Sequence, residues 1–243
     1  MCTVAFIPIE GKYYIASLRD EDPNRAIAHK PQISLSDQQK YIAPIDPQGG
    51  GTWVGINENG VVIVLLNGGF INHTKKGPYA KSRGLIVTEL LSMEQPIDNW
   101  NQIDLTNIEP FTLIVWSGIA LSHLVWDGAK KYQAEMDHSQ AHIWSSATLY
   151  SESDQLIRQA AFGNWISKKE HKGKSTLLDF FKQEVDKQES IFIKNGKEIK
   201  THSYTFIDIH PEVNTQISYQ DLSNETMTSF SLVHIKKEHI GIN

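Results

Sequence analysis

A single cysteine occupies position 2 of a 243-residue chain. Removing one methionine would put a nucleophilic sulfur and a free α-amine on the same carbon. The amine titrates near ~7.7–8.0 and a thiol near ~8.5, so the amine can act as a local base for the sulfur. The plainer reading is that a small, apolar Cys2 simply opens a buried strand. Residues 3–9 form a β-rich run, Glu10-Gly11 is a turn signal, and residues 12–18 form a second β-rich run. This is the pattern of a hairpin with a two-residue loop. With Glu10 and Gly11 as the loop, paired positions sum to 21, and Cys2 falls opposite Arg19. A slip of one pair would bring Leu18 or Asp20 there instead. Pro8 has no donor for a ladder bond, which marks an edge or a bulge.

Arg19 and Asp20 give that end of the hairpin a chemistry. A guanidinium beside Cys2 favours thiolate over thiol. A carboxylate at Asp20 can hold the α-amine and orient it as proton carrier. Alternatively, Arg-Asp simply closes a strand at a solvated loop. Asn67-Gly68-Gly69 after an apolar run is a strand terminator. That is also a place where an amide donor can be displayed.

Taken in order, these segments resemble the NRDE family, which includes the transport and Golgi organisation protein 2 group and is similar to N-terminal nucleophile hydrolases. The matching pieces are Met1-Cys2-Thr3-Val4, Arg19-Asp20-Glu21, Gly50-Gly51-Thr52-Trp53-Val54-Gly55, Leu66-Asn67-Gly68, Ser82-Arg83-Gly84-Leu85 and Trp144-Ser145-Ser146-Ala147-Thr148-Leu149. The resemblance implies a four-layer αββα sandwich with Cys2 as nucleophile, Arg19 and Asp20 beside it, and Asn67 as an oxyanion donor. It sets Trp53 and Ser146 near the substrate. It implies hydrolysis of linear carbon–nitrogen amide bonds in a small molecule, with no cofactor. A second implied role is binding or trafficking of an apolar ligand such as haem. The chain departs from the family pattern at Leu18, where Asn is expected, at Ser146, where a second Asn is expected, and at Met227, where a basic residue is expected.

The elements that must position these residues read as one α+β layered domain over residues 1–243. Residues 27–48 read as a surface loop or short helix. Residues 52–56 and 60–66 read as a second hairpin, and 81–93 as a helix with a broad apolar face. Residues 111–116 and 120–126 read as a strand pair. Two helices are expected within 151–188, the second over 175–187 with a Ser175 cap. Residues 201–207 and 228–235 read as closing strands.

Composition narrows the partners. With 40% hydrophobic residues the chain can bury a sizeable core. A net charge of -5 gives no general attraction to nucleic acid or anionic membranes. One cysteine cannot close an internal disulfide, no apolar stretch approaches the ~20 residues of a membrane span, and no secretory signal is evident. A cytoplasmic protein is the expectation. His138 and His142 would share one face if helical, yet no metal-site pattern accompanies them, and no phosphate-binding glycine loop is present.

Overall fold

The computed structural model describes residues 2–36, 39–168, 173–183, 191, 199–210 and 214–232, with Cys2 described by its backbone. The chain opens with β1 (Cys2–Ile9) and β2 (Lys12–Glu21). Glu10 and Gly11 both have positive φ, 45° and 78°, which matches a two-residue turn whose twist suits the flanking strands. The pairing runs Cys2↔Arg19, Thr3↔Leu18 and onward to Ile9↔Lys12, the register expected from the sequence.

Two antiparallel sheets follow. The first has the order β10-β1-β2-β11-β12-β13, with β10 (His142–Ser145), β11 (Lys200–His210), β12 (Asn214–Asp221) and β13 (Met227–Ser231). The second runs consecutively from β3 (His29–Leu35) and β4 (Lys40–Ile45) through β5 (Val54–Asn57), β6 (Val62–Asn67) and β7 (Phe111–Trp116) to β8 (Leu121–Trp126) and β9 (Lys131–Met136). The helices are α1 (Arg83–Leu91), α2 (Pro96–Asn99), which continues into a short 3-10 turn, α3 (Glu152–Ser167) and α4 (Lys174–Lys182).

Strand parity explains the layering. Along β1, Val4 and Phe6 join the core between the sheets, while Ala5 and Ile7 join a second cluster with Phe162 and Trp165 of α3 and Phe180 and Phe181 of α4. On the other side, every residue of β7 is buried, so both faces of that strand are covered. Ile86, Val87, Leu90 and Leu91 of α1 supply apolar cover against β5 and β6. The arrangement is helix on sheet on sheet on helix, the αββα sandwich expected.

Several local expectations are corrected. Residues 29–35 and 40–45 are strands and not a surface loop. Their polar character follows from β3 being an edge strand, where His29, Lys30, Gln32 and Leu35 stay exposed and Pro31 needs no ladder partner on its free side. The strands β9, β10 and β12 carry too mixed a pattern to stand out in the sequence. The second helix of the later half starts at Lys174 with Gly173 as its cap, not Ser175. Its expected extension to residue 187, and the closing strand beyond residue 232, lie outside the described residues. His138 sits in the turn between β9 and β10, and His142 begins β10, so they do not share a helix face. Pro8 is not in an edge strand. It lies beyond the Thr3–Phe6 stretch that pairs with β10, so no ladder bond is lost on that side.

Candidate functional site

Two crossing glycine segments build one wall of the site. A Cβ on Gly51 would lie 2.2 Å from the carbonyl carbon of Gly84, and one on Gly84 would lie 3.0 Å from the Thr52 carbonyl oxygen. Only glycines permit this backbone contact. The Thr52 amide donates to the Gly84 carbonyl at 3.2 Å, and Ser82 Oγ donates to the Gly49 carbonyl at 2.9 Å. The crossing aims Trp53 and Arg83 at the same space. That space is a cleft of about 310 Å³, with Arg19, Trp53, Asn67 and Arg83 in its lining.

Arg19 is the least exposed of the cleft's cations, at 3%. Its guanidinium lies 4.5 Å over the Trp53 ring, within cation–π range. Its Nη2 is 3.7 Å from Asp46 Oδ2. Asp46 is already engaged by Arg25 in a shorter ion pair through the same oxygen. Burial would raise the Asp46 pKa, but the Arg25 hydrogen bond and charge outweigh it and hold the carboxyl below its usual range. On the opposite rim, Glu109 accepts from Arg83 at 3.1 Å and pairs with His73 at 3.2 Å.

Asp20 follows Arg19 on β2 and has the opposite parity. It is fully buried and does not line the cleft. Thr201 Oγ1 donates to its Oδ1 at 2.6 Å. Burial pushes its pKa up to about 6, against the Thr201 hydrogen bond and the positive charge of Arg158. Arg158 reaches in from α3, donating to Thr3 Oγ1 at 3.3 Å and stacking 3.8 Å over Tyr150. Since Cys2 pairs with Arg19, Asp20 comes level with the start of β1.

Asn67 ends β6 as the sequence suggested, and it lines the cleft. Gly68 after it has φ +88°, and a Cβ there would press within 3.2 Å of Ala147 and 3.1 Å of Thr148. Ser146 is fully buried, and its hydroxyl donates to the Asn67 carbonyl at 2.7 Å and lies 3.0 Å from Thr148 Oγ1. Thr148, and not Ser146, belongs to the cleft lining. The other two departures from the family pattern also stand away from it. Leu18 packs in the cluster under α3 and α4, and Met227 is exposed on the outer strand β13.

The structure therefore brings Arg19, Trp53 and Asn67 together around one cleft. It sets Asp20 on the far face of β2 and Ser146 behind Asn67. Sequence reasoning missed Arg25, Asp46, His73 and Glu109. Their loops carry ion pairs between segments distant in the chain, with no local pattern to reveal them.

A family model matches residues 1–239, that of Transport and Golgi organisation 2. The chain belongs to this family. No curated protein matches its sequence. Solved structures share its fold at low identity. A penicillin V acylase from Agrobacterium tumefaciens superimposes with a TM-score of 0.59 at 11% identity, over 96% of this chain and 86% of the other. An N-acylethanolamine-hydrolyzing acid amidase ortholog from Caenorhabditis elegans gives 0.56 at 10%, over 87% and 94%. The C2A mutant of a conjugated bile acid hydrolase from Clostridium perfringens gives 0.52 at 9%, over 96% and 93%. The fold is thus that of the N-terminal nucleophile hydrolases. Among the described residues, no helix is long and apolar enough to cross a membrane.

Proposed function

We propose that this family member is an N-terminal cysteine hydrolase that cleaves linear amide bonds of a small molecule once Met1 is removed. The observation that carries this reading is the cross-strand pairing of Cys2 with Arg19, a cation lining the same cleft as Asn67. Opposed residues in antiparallel strands lie ~4.5–5.5 Å apart at Cα. A guanidinium carried by the opposed residue can approach the sulfur and favour the thiolate.

In this mechanism the Cys2 sulfur adds to the amide carbonyl carbon, and its proton passes to the α-amine. The Asn67 side-chain amide donates to the developing oxyanion, a contribution of roughly 2.7–4 kcal/mol for such donors. The carbon–nitrogen bond then breaks as the protonated amine returns its proton to the leaving nitrogen, which leaves a thioester on Cys2. Water attacks that thioester with the amine as base, releasing the acid and restoring the thiol. Asp20, level with the start of β1, steadies the amine. The structural neighbours named for acylase and amidase activities support the reaction class as an analogy of fold.

The charged lining supports a polar or charged occupant, which speaks against a wholly apolar ligand filling this cleft. The test pairs two measurements. Intact mass of the protein from its native host should show Met1 absent. Cys2→Ala should lower hydrolysis of a responsive amide by about 10³-fold or more. Retained Met1 in active protein, or unchanged activity in Cys2→Ala, would overturn the mechanism.

A further inference from the structure

Four of the polar atoms left without partners around the cleft share one character. Arg19 Nη1 and Nη2, Arg25 Nε and Trp53 Nε1 are buried nitrogens with no hydrogen-bond acceptor, and all belong to lining residues. His73 Nδ1 is a fifth unpartnered nitrogen, but with Nε2–H directed at Glu109 it accepts in the neutral ring and donates only in the protonated one. Among the described lining residues no buried oxygen is left in the same condition. Arginine and indole nitrogens can only donate. The vacant side of this cleft is thus built to meet acceptors.

Charge points the same way. The lining holds four full cations, Arg19, Arg25, Arg83 and Lys75, against the carboxylates of Glu21, Asp46 and Glu109. This local excess of positive charge sits in a chain of net charge -5. Asp46 serves two guanidiniums, and the nearer is Arg25. Arg19 is left 3% exposed with both terminal nitrogens unbonded. Water could satisfy those donors but would leave the buried charge balanced only by the Asp46 carboxylate that Arg25 holds more closely, which is costly in a desolvated site.

We infer that the cleft recognises an oxyanion group on its ligand, carboxylate or phosphate, which accepts from the Arg19 guanidinium and Trp53 Nε1 once the ligand settles against these covered donors. The inference rests on the hydrolase reading only where it makes the ligand an amide. Because Arg19 is also the cross-strand partner of Cys2, the anion would stand within a few bonds of the carbonyl attacked. The substrates would be amides carrying an acidic group close to the scissile bond, as opposed to neutral amides or free amines.

The experiment is calorimetric titration of the Cys2→Ala protein, which cannot turn over substrate, with three probes of similar size. N-acetylglycine carries a carboxylate, N-acetyl-O-phosphoethanolamine a phosphate, and N-acetylglycinamide is neutral. At least one anionic probe should bind about tenfold or more tightly than the neutral one, as expected for charge-assisted bonds. The tighter of the two identifies the oxyanion. Arg19→Gln should erase the preference, and Trp53→Phe, which keeps a ring but loses the donor, should reduce it. Equal affinities, no binding of any probe at millimolar concentration, or a preference that survives Arg19→Gln would overturn the inference. A wild-type protein that hydrolyses no amide yet keeps the anion preference would remove the hydrolase reading alone.

Discussion

Arg19 and Asp20 are consecutive, almost equally buried and oppositely charged, yet the two faces of β2 treat them differently. Arg19 looks into the space between the sheets, stacked on Trp53 in the cleft lining, with its terminal nitrogens buried and without hydrogen-bond acceptors. Asp20 looks toward the helical layer, where Thr201 donates to it and Arg158 lies nearby. The cation stands beside a cavity that a ligand can fill. The carboxyl is pushed toward neutrality by burial. A period of two along one strand thus separates a recognition group from a sealed, titratable one.

Substitution at Arg19 should break this contrast most strongly. Under the hydrolase reading, Arg19→Gln should lower kcat/KM for an amide by roughly 10²-fold, since a neighbouring positive charge lowers a thiol pKa by ~1–3 units. Its effect on stability should run the other way. Arg25 still holds Asp46, and a buried cation with unbonded nitrogens is removed, so Tm should stay level or rise. A large fall in Tm would mean that Arg19 acts as a structural ion pair with Asp46.

Asp20→Asn should act on stability through pH. The folded-state pKa of about 6 stands above the 3.8 of an ordinary aspartate. The folded protein therefore holds this proton more tightly than the unfolded chain. The associated stability is fully present below pH ~4 and is lost as pH rises through about 6, a span of roughly 3 kcal/mol at ~1.36 kcal/mol per unit. Denaturant unfolding from pH 4 to 7 should show this decline in the wild type and a flatter profile in Asp20→Asn. Identical slopes would mean that Asp20 ionises as freely in the fold as in the unfolded chain.

What the sequence disclosed depended on how local the determining interaction was. The first hairpin was legible because Glu10-Gly11 and the flanking β-rich runs set its register within twenty residues. Asn67 at a strand end was legible for the same reason, with Gly68 as its terminator. The edge strand β3 was not, since its exposed face takes polar residues that mimic a loop. The Arg25–Asp46 and Arg83–Glu109 pairs join segments more than twenty residues apart, and charged residues are common enough that no spacing singles them out. Parity could have warned that Arg19 and Asp20 face opposite ways, since adjacent residues in a strand cannot share a face.

The departures at Leu18, Ser146 and Met227 carry a related lesson. All three stand outside the cleft lining, so counting lost polar groups along the sequence misjudges how polar the cleft is. Ser146 sharpens the point because its hydroxyl is structural. It joins the end of the first sheet to the second by donating to the Asn67 carbonyl at 2.7 Å. Ser146→Ala should leave that partly buried carbonyl short of a donor and cost about 1 kcal/mol of stability, read by denaturant unfolding. Its effect on turnover should be small and should appear in kcat before KM, because Asn67 would be held less firmly while the cleft lining stays intact. A selective rise in KM with stability unchanged would instead return Ser146 to direct contact with the ligand.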